Sequence, residues 1–295
     1  MRLSDVVELL LLAALWGGSF LFMRLAAPVI GPVWLIELRV LLAGLALLPL
    51  LCQMLLAQRS AWSEVRKKLG ALFVVGCLNS ALPFLLLAFA SVSLPAGYTS
   101  ILNATTPLFG MVVAAIWWQE KLTVPRLFGL MLGFAGVVVL IGLQRFAMTP
   151  LVIAAMVTGL GAAVFYAIAA PYAKQQLSGT SPIIIATVSQ LSAAVAILPL
   201  LPFTLPSAIP EPNIVLAIIA LALFSTSLTY LLYFRLIQNV GSTKALTVTY
   251  LVPVFAMIWG SLVLGEAITI PMILGCGLIL IGTAISNGVL AIGTK

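Results

Sequence analysis

Ten apolar runs, each long enough to cross a bilayer as a helix, fill almost the whole of this 295-residue chain. They occupy residues 8–27, 33–56, 69–92, 95–118 and 124–143 in the first half, and 151–173, 182–203, 214–236, 242–264 and 269–291 in the second. A helix needs ~20 mostly apolar residues to cross a hydrocarbon core ~30 Å thick, so little chain remains for a soluble domain. The predicted fold is an all-α membrane protein of ten transmembrane helices. Composition agrees: 63% of residues are hydrophobic and 7% charged, where a soluble domain carries roughly a quarter charged residues.

The formal charge of +7 comes from 14 basic residues scattered between apolar runs. They form no continuous patch, so no nucleic-acid partner is expected. Their placement encodes topology instead. With the N-terminus in the cytoplasm, Arg2, Arg59, Arg66, Lys67, Lys68, Lys121, Arg126, Lys174, Arg235, Lys244 and Lys295 all fall in or beside inner loops or termini, leaving Arg145 and Arg24 outside. The positive-inside rule then predicts a multi-pass protein of the cell inner membrane with both termini cytoplasmic. The start of the chain carries Arg2, Asp5 and Glu8 and no small-residue cleavage site, which predicts a retained first helix rather than a removed signal peptide. Cys52, Cys77 and Cys276 lie in apolar runs, the chain has no His, and no CxxC spacing occurs. No disulfide, metal site or cofactor is expected.

The two halves are related. PLFGMVVAAIWWQEKLTVPRLFG from Pro107 aligns without a gap with PVFAMIWGSLVLGEAITIPMILG from Pro253: Phe109 matches Phe255, Met111 Met257, Glu120 Glu266, Thr123 Thr269, Pro125 Pro271, Gly129 Gly275 and Gly136 Gly282. Coincident Pro, Glu, Thr and Gly across a loop indicate duplication, with repeats at 1–146 and 147–295. Five spans per repeat is an odd number, so the second copy enters the membrane in the opposite sense. Such inverted-topology repeats suit alternating access and point to a transporter.

WGGSFLFMRLA at 16–26, ELR at 37–39 and the P-x12-E-x-x-T pattern at 107–123 and again at 253–269 resemble the drug/metabolite transporter superfamily, in its ten-helix branch of two EamA-type repeats. Within the branch the aromatic-rich first helix is similar to YddG-type exporters of amino acids. The resemblance implies a basket of helices around a central cavity lined by spans one, three, four, six, eight and nine, with spans five and ten packed to one side. Gly129, Gly133 and Gly136 in span five, and Gly275, Gly277 and Gly282 in span ten, are expected to let backbones approach closely. A monomer is expected, with a homodimer through these glycines as the alternative.

Polar residues inside spans are expensive in lipid and face cavities or other helices. The candidate substrate-binding set is Trp16 and Ser19 of span one; Asn79 of span three, beside Ser80; Tyr98, Thr99, Asn103 and Thr106 of span four; Phe165 and Tyr166 of span six; Ser225 and Tyr230 of span eight; and Thr247 and Tyr250 of span nine. Asn79 and Asn103 correspond by the repeat offset to Ser225 and Thr249. Aromatic rings with Ser, Thr and Asn suit a small neutral or zwitterionic solute with an apolar body. Amino acids, aromatic ones included, are the expected cargo, and phosphorylated sugars fit poorly for want of clustered Arg or Lys.

Glu37 and Arg39 sit two residues apart and point to nearly opposite sides of a helix. A structural partner for Arg39 is expected over substrate contact. Glu120 and Glu266 read as caps of spans five and ten, and Arg24 and Lys244 as residues at opposite mouths or snorkelling to the interface. Bends are expected at Pro83, Gly97, Pro107, Gly241 and Pro253. With no His and no midplane Asp or Glu, facilitated diffusion is favoured, Glu37 being the exception. A proton-coupled multidrug exporter on the same scaffold is the alternative. Without His there is neither a Ser-His pair nor an HExxH site, and Asp5 is the only Asp, so enzymatic activity is not expected.

Overall fold

The computed structural model describes residues 2–117, 119, 123–143, 147–206 and 209–289, with the backbone alone of Arg59, Ser60, Ser242 and Thr243. Ten helical spans follow one another: α1 (Leu3–Ile30), α2 (Pro32–Ala57), α3 (Ala61–Ser93), α4 (Ala96–Trp117), α5 (Val124–Gly142), α6 (Pro150–Gln176), α7 (Pro182–Phe203), α8 (Pro212–Val240), α9 (Val248–Leu264) and α10 (Ile270–Ser286). The first eight are long and apolar enough to cross a membrane, and α9 and α10 are shorter apolar helices. No strand occurs among the described residues. Hydrocarbon offers no water to unpaired N–H and C=O groups, and a helix satisfies them within its own segment. Glu120, Lys121, Arg145, Phe146 and Lys295, which bear on the capping, topology and repeat readings, lie outside the described residues, as does the side chain of Arg59.

Local chemistry sets the helix ends. Proline stands in the first turn of α2, α5, α6, α7, α8 and α10, where its missing N–H would have had no helical partner. The Thr149 and Thr269 hydroxyls accept from Val152 N at 3.3 Å and Met272 N at 3.4 Å, capping α6 and α10. Gly31 alone joins α1 to α2 at φ +80°, and Gly241 ends α8 at φ +84°. Both take a backbone conformation that a side chain resists.

Contacts between distant residues identify the two faces of the bundle. Glu8 pairs with Arg235 at 3.7 Å, Lys68 Nζ donates to Ser178 O and Thr180 Oγ1 at 3.1 and 2.7 Å, and Asn287 Nδ2 donates to Tyr250 OH at 3.3 Å. These unite the starts of odd-numbered helices with the ends of even-numbered ones, the face on which Arg2 lies. The opposite face carries Arg24 and Glu266.

The most extensive helix contact is between α5 and α10, followed by α3 with α6. Lipid provides no hydrophobic drive for helices to associate, so close van der Waals packing must hold them together. Glycine permits it. A Cβ built on Gly282 would stand 2.5 Å from Gly129 O and from Gly133 N, and one on Gly136 would stand 2.8 Å from Gly275 O. The expected packing role thus holds for five of the six glycines. Gly277 is the exception, with nothing within 4 Å of its Cβ position.

Besides the 3-10 helix that ends α7 at Leu198–Phe203, four irregular stretches lie within or beside the spans. π-helical turns occur at Cys77–Ala81 in α3 and Leu223–Leu228 in α8, starting 146 residues apart. α4 breaks at Ala104 and Thr105, and a short turn of helix, Ser242–Ala245, precedes a break at Leu246 and Thr247 before α9. The expected bends at Pro83, Pro107 and Gly241 adjoin these stretches. Gly97 and Pro253 lie within continuous helix. Gly97 is a close-approach point, where a Cβ would lie 2.6 Å from Met257 Cγ, and Pro253 sits within an unbroken α9.

Gly282→Leu should force α5 and α10 apart, lowering the thermal midpoint of the detergent-purified protein by ~5 °C or more, given the usual cost of overpacking. Gly277→Ala should leave the midpoint within ~1 °C of wild type, since its Cβ enters open space. Melting followed by size-exclusion chromatography after heating would check both.

Candidate functional site

Helices α1, α3, α4, α6, α8 and α9 surround a cavity of about 480 Å³, completed by Arg39 of α2 and by Leu280, Thr283 and Asn287 of α10. On α6, α8, α9 and α10 the lining runs from mid-bundle toward the face bearing Arg2, whereas on α1, α3 and α4 it lies between mid-span and the opposite end. On α1 it ends at Met23, on α9 it spans Leu246 to Pro253, and on α10 it reaches Asn287. The cavity therefore opens at the N-terminal face.

Its opposite end is sealed by polar contacts. Arg24 Nη1 donates to Ser91 O and Val92 O at 3.1 and 2.7 Å, and Arg24 Nε to Glu266 Oε1 at 3.3 Å. Glu266 Oε2 accepts the Ala96 N–H at 2.9 Å, the first backbone donor of α4. One ion pair thus ties the ends of α1 and α3, the start of α4 and the α9–α10 connection. Both carboxylate and guanidinium are largely screened from solvent, so these charge-assisted bonds are stronger than neutral ones. The expectation for Glu266 is corrected: it caps α4 rather than its own α10, because Thr269 already occupies that position. Lys244 is exposed at the N-terminal face and does not line the cavity.

Nine of the expected site residues meet at this cavity: Trp16, Ser19, Asn79, Asn103, Thr106, Tyr166, Ser225, Tyr230 and Tyr250. Four do not. The Tyr98 hydroxyl turns outward to donate to Leu140 O of α5 at 3.0 Å, and its ring packs in an apolar cluster with Ile101 and Ile279. Thr99 is buried with its hydroxyl on Pro95 O at 3.2 Å, and Thr247 donates to Lys244 O at 2.7 Å. Phe165 is one residue from Tyr166, about 100° around α6, and so lies off the wall. The sequence singles out neither Ser100, Thr229, Tyr233 nor Thr283, which line the cavity together with Thr226, the repeat counterpart of Ser80, and it reads Arg39 as structural. Helical spacing offered a signal for two of them: Ser100 lies three residues before Asn103, and Tyr233 three after Tyr230.

Both π-turns face inward. A π-turn displaces the helical hydrogen-bond pattern, and such turns recur at functional sites. In α8 the freed carbonyls are taken by hydroxyls: Thr226 Oγ1 donates to Leu221 O at 2.9 Å, while Ser227 Oγ lies 3.1 Å from Ala222 O and 3.2 Å from Ala43 O of α2. Because the Thr226 proton is committed to Leu221, its oxygen accepts from Arg39 Nε at 3.0 Å. The Arg39 guanidinium lies over the Phe84 ring, 3.6 Å from its centroid, a favourable cation–π placement. Behind the α3 π-turn, Gln190 Nε2 of α7 donates to Ser80 Oγ at 3.0 Å and Tyr230 OH at 3.1 Å. Trp16 and Tyr233 form a tilted aromatic pair with centroids 5.2 Å apart. Glu37 is buried, its Oε2 has no hydrogen-bond partner, and it lies off the cavity wall.

A polytopic bundle with an internal cavity sealed at one face and open at the other is the architecture of a membrane transporter. The chain belongs to the EamA-like transporter family, which it matches over residues 6–142 and again over 153–288. It is 24% identical over 276 residues to an uncharacterized transporter of Archaeoglobus fulgidus, covering 94% of this chain and 96% of that one. It is 26% identical over 271 residues to the uncharacterized transporter YoaV of Bacillus subtilis, covering 91% of each. The uncharacterized transporter YvbV of the same organism is 28% identical over 277 residues, with 93% and 88% covered. A solved crystal structure shares the fold at a TM-score of 0.63 with 18% identity, over 98% of both chains.

Glu266→Gln should loosen the seal. In a background with Cys52, Cys77 and Cys276 replaced by Ala, a cysteine placed by Asn103→Cys should react several-fold faster with a membrane-impermeant thiol reagent applied from the Glu266 face. Loss of about 1 kcal/mol of charge-assisted bonding corresponds to roughly fivefold in population. An unchanged rate would mean that the barrier lies elsewhere.

Proposed function

We propose that this transporter exports small neutral or zwitterionic organic solutes, amino acids foremost and aromatic ones included, across the inner membrane by alternating access and facilitated diffusion. The observation that carries the reading is the cavity wall. Trp16, Tyr166, Tyr230, Tyr233 and Tyr250 supply an aromatic lining, Asn79, Ser100, Asn103, Ser225 and Thr283 supply hydrogen-bonding groups, and no carboxylate is among the lining residues. A volume of about 480 Å³ lies in the range of small-molecule sites. With no titratable acid on the wall, a proton has no evident carrier along the path, which favours passive movement down the solute gradient.

The proposed machine is a pair of repeats, 1–146 and 147–295, of opposite orientation. Support comes from features recurring 146 residues apart: the two π-turns, and the positive-φ positions Gln119 at +52° and Gly265 at +66°. Rocking of the repeats about the cavity would close the N-terminal face and part the Arg24–Glu266 seal. The basic residues Arg66, Lys67, Lys68, Arg126, Lys174 and Arg235 mark the N-terminal face as cytoplasmic, so the cavity as described faces inward.

Proteoliposomes holding the purified protein, with no ion gradient, should take up radiolabelled aromatic and aliphatic amino acids saturably, with inhibition by unlabelled amino acid. Asn103→Ala should weaken uptake by about tenfold, in line with the loss of one to two hydrogen bonds. Absence of uptake for every amino acid, with or without an imposed pH gradient, overturns the amino-acid reading. Uptake appearing only with a pH gradient overturns passive transport. For topology, a green fluorescent protein fused after Lys295 should fluoresce in cells, and an alkaline phosphatase fused there should be inactive.

A further inference from the structure

Resting on the reading of this cavity as a solute site, we propose that Arg39 is its anion-reading residue and that the recognised solute carries a carboxylate. Arg39 is 4% exposed and is the single α2 residue on the wall. It is also the only formally charged side chain among the lining residues. It forms no ion pair with any described residue: the pairs present join Arg24 to Glu266, Lys68 to Glu64 and Arg235 to Glu8. Glu37 lies two positions away on the far side of the helix.

A guanidinium offers five N–H donors in a planar fork. Here Nε meets Thr226 Oγ1 at 3.0 Å, Nη1 meets the weak acceptor Met23 Sδ at 3.7 Å, and the Phe84 ring covers one face. No other hydrogen bond is made to a described residue. The guanidinium stays charged under all biological conditions, and a buried cation without a counter-ion is strongly unfavourable. Its surroundings orient it without neutralising it: Thr226 is held by Leu221 O, and Phe84 fixes the plane.

The chemistry of the missing partner follows from the rest of the wall. A planar carboxylate matches the fork in bidentate fashion and carries the single negative charge that Arg39 balances. A doubly charged phosphate would leave excess negative charge, since no Lys or second Arg lines the cavity. Around the same wall, Ser100 Oγ, Asn103 Oδ1 and Ser225 Oγ are buried with no hydrogen-bond partner. These are groups that gain one when a polar solute enters. Recognition of a carboxylate by Arg39 leaves the aromatic groups to cover the apolar body.

The test is equilibrium binding to the purified full-length protein of three probes sharing one ring: phenylalanine, 3-phenylpropionate, which lacks the amine, and phenethylamine, which lacks the carboxylate. The two carboxylates should bind at least ~30-fold more tightly than phenethylamine, as expected for charge-assisted bonds lost from a buried site. Arg39→Gln should abolish that preference, Arg39→Lys should keep part of it, and Thr226→Val, which preserves shape, should weaken both carboxylates several-fold while sparing phenethylamine. The inference is overturned if phenethylamine binds wild type as well as the carboxylates do, if no carboxylate binds, or if folded Arg39→Gln retains the preference. Should 3-phenylpropionate bind and phenylalanine not, the carboxylate inference stands and the amino-acid reading falls.

Discussion

A backbone N–H or C=O left unpaired in hydrocarbon costs several kcal/mol, and the architecture follows from that one penalty. The spans can be irregular only where protein or water replaces the lost partners, so the π-turns of α3 and α8 and the breaks around α4 and α9 all lie beside the cavity. Those of α4, α8 and α9 come with hydroxyls that bond local carbonyls. Thr105 and Thr106 donate to Leu102 O and Asn103 O at 2.6 and 2.7 Å, Thr247 and Thr249 to Lys244 O and Leu246 O at 2.7 and 2.8 Å, and Thr226 to Leu221 O. The hydroxyl-rich stretches of sequence serve the backbone first. Only those left unpartnered, or turned to accept, are available to a solute.

That double use explains how much of the site was legible. Ten spans and the packing of α5 on α10 follow from hydropathy, family resemblance and glycine spacing, and the structure bears them out. Polar residues within spans marked the right helices, and nine of thirteen candidates reach the cavity. Thr99 and Thr247 fell away because a threonine satisfied by its own helix looks, in sequence, the same as one facing a ligand. Tyr98 and Phe165 fell away because the direction of a helical side chain depends on rotation about the helix axis, which the breaks in α4 and the packing of α6 decide. Arg39 was weighed as structural because an apolar run gives no sign of what a buried cation meets. That no described acidic residue pairs with it is a statement about ten helices at once.

The halves share a sequence pattern but not a conformation. Arg24 closes one end of the cavity, whereas the residue 146 positions later is Ala170, on the wall itself. The breaks at Ala104–Thr105 and Leu246–Thr247 lie 142 residues apart rather than 146, a displacement of about one helical turn. Two similar halves in different arrangements around one cavity is the asymmetry that the proposed alternating access asks of an inverted repeat.

The glycine contact between α5 and α10 has a further property. Gly129 lies against Gly282 and Gly136 against Gly275, while by sequence Gly129 is the counterpart of Gly275 and Gly136 of Gly282. Each residue therefore touches the counterpart of the residue that its own counterpart touches. This reciprocity is the signature of an isologous interface, as between two subunits of a twofold homodimer, folded here into one polypeptide. A surface of this kind is complementary to itself, so the relative placement of the halves is written into the helices and not into the segment that links them. The covalent link then raises the effective concentration of one half around the other without having to choose the geometry.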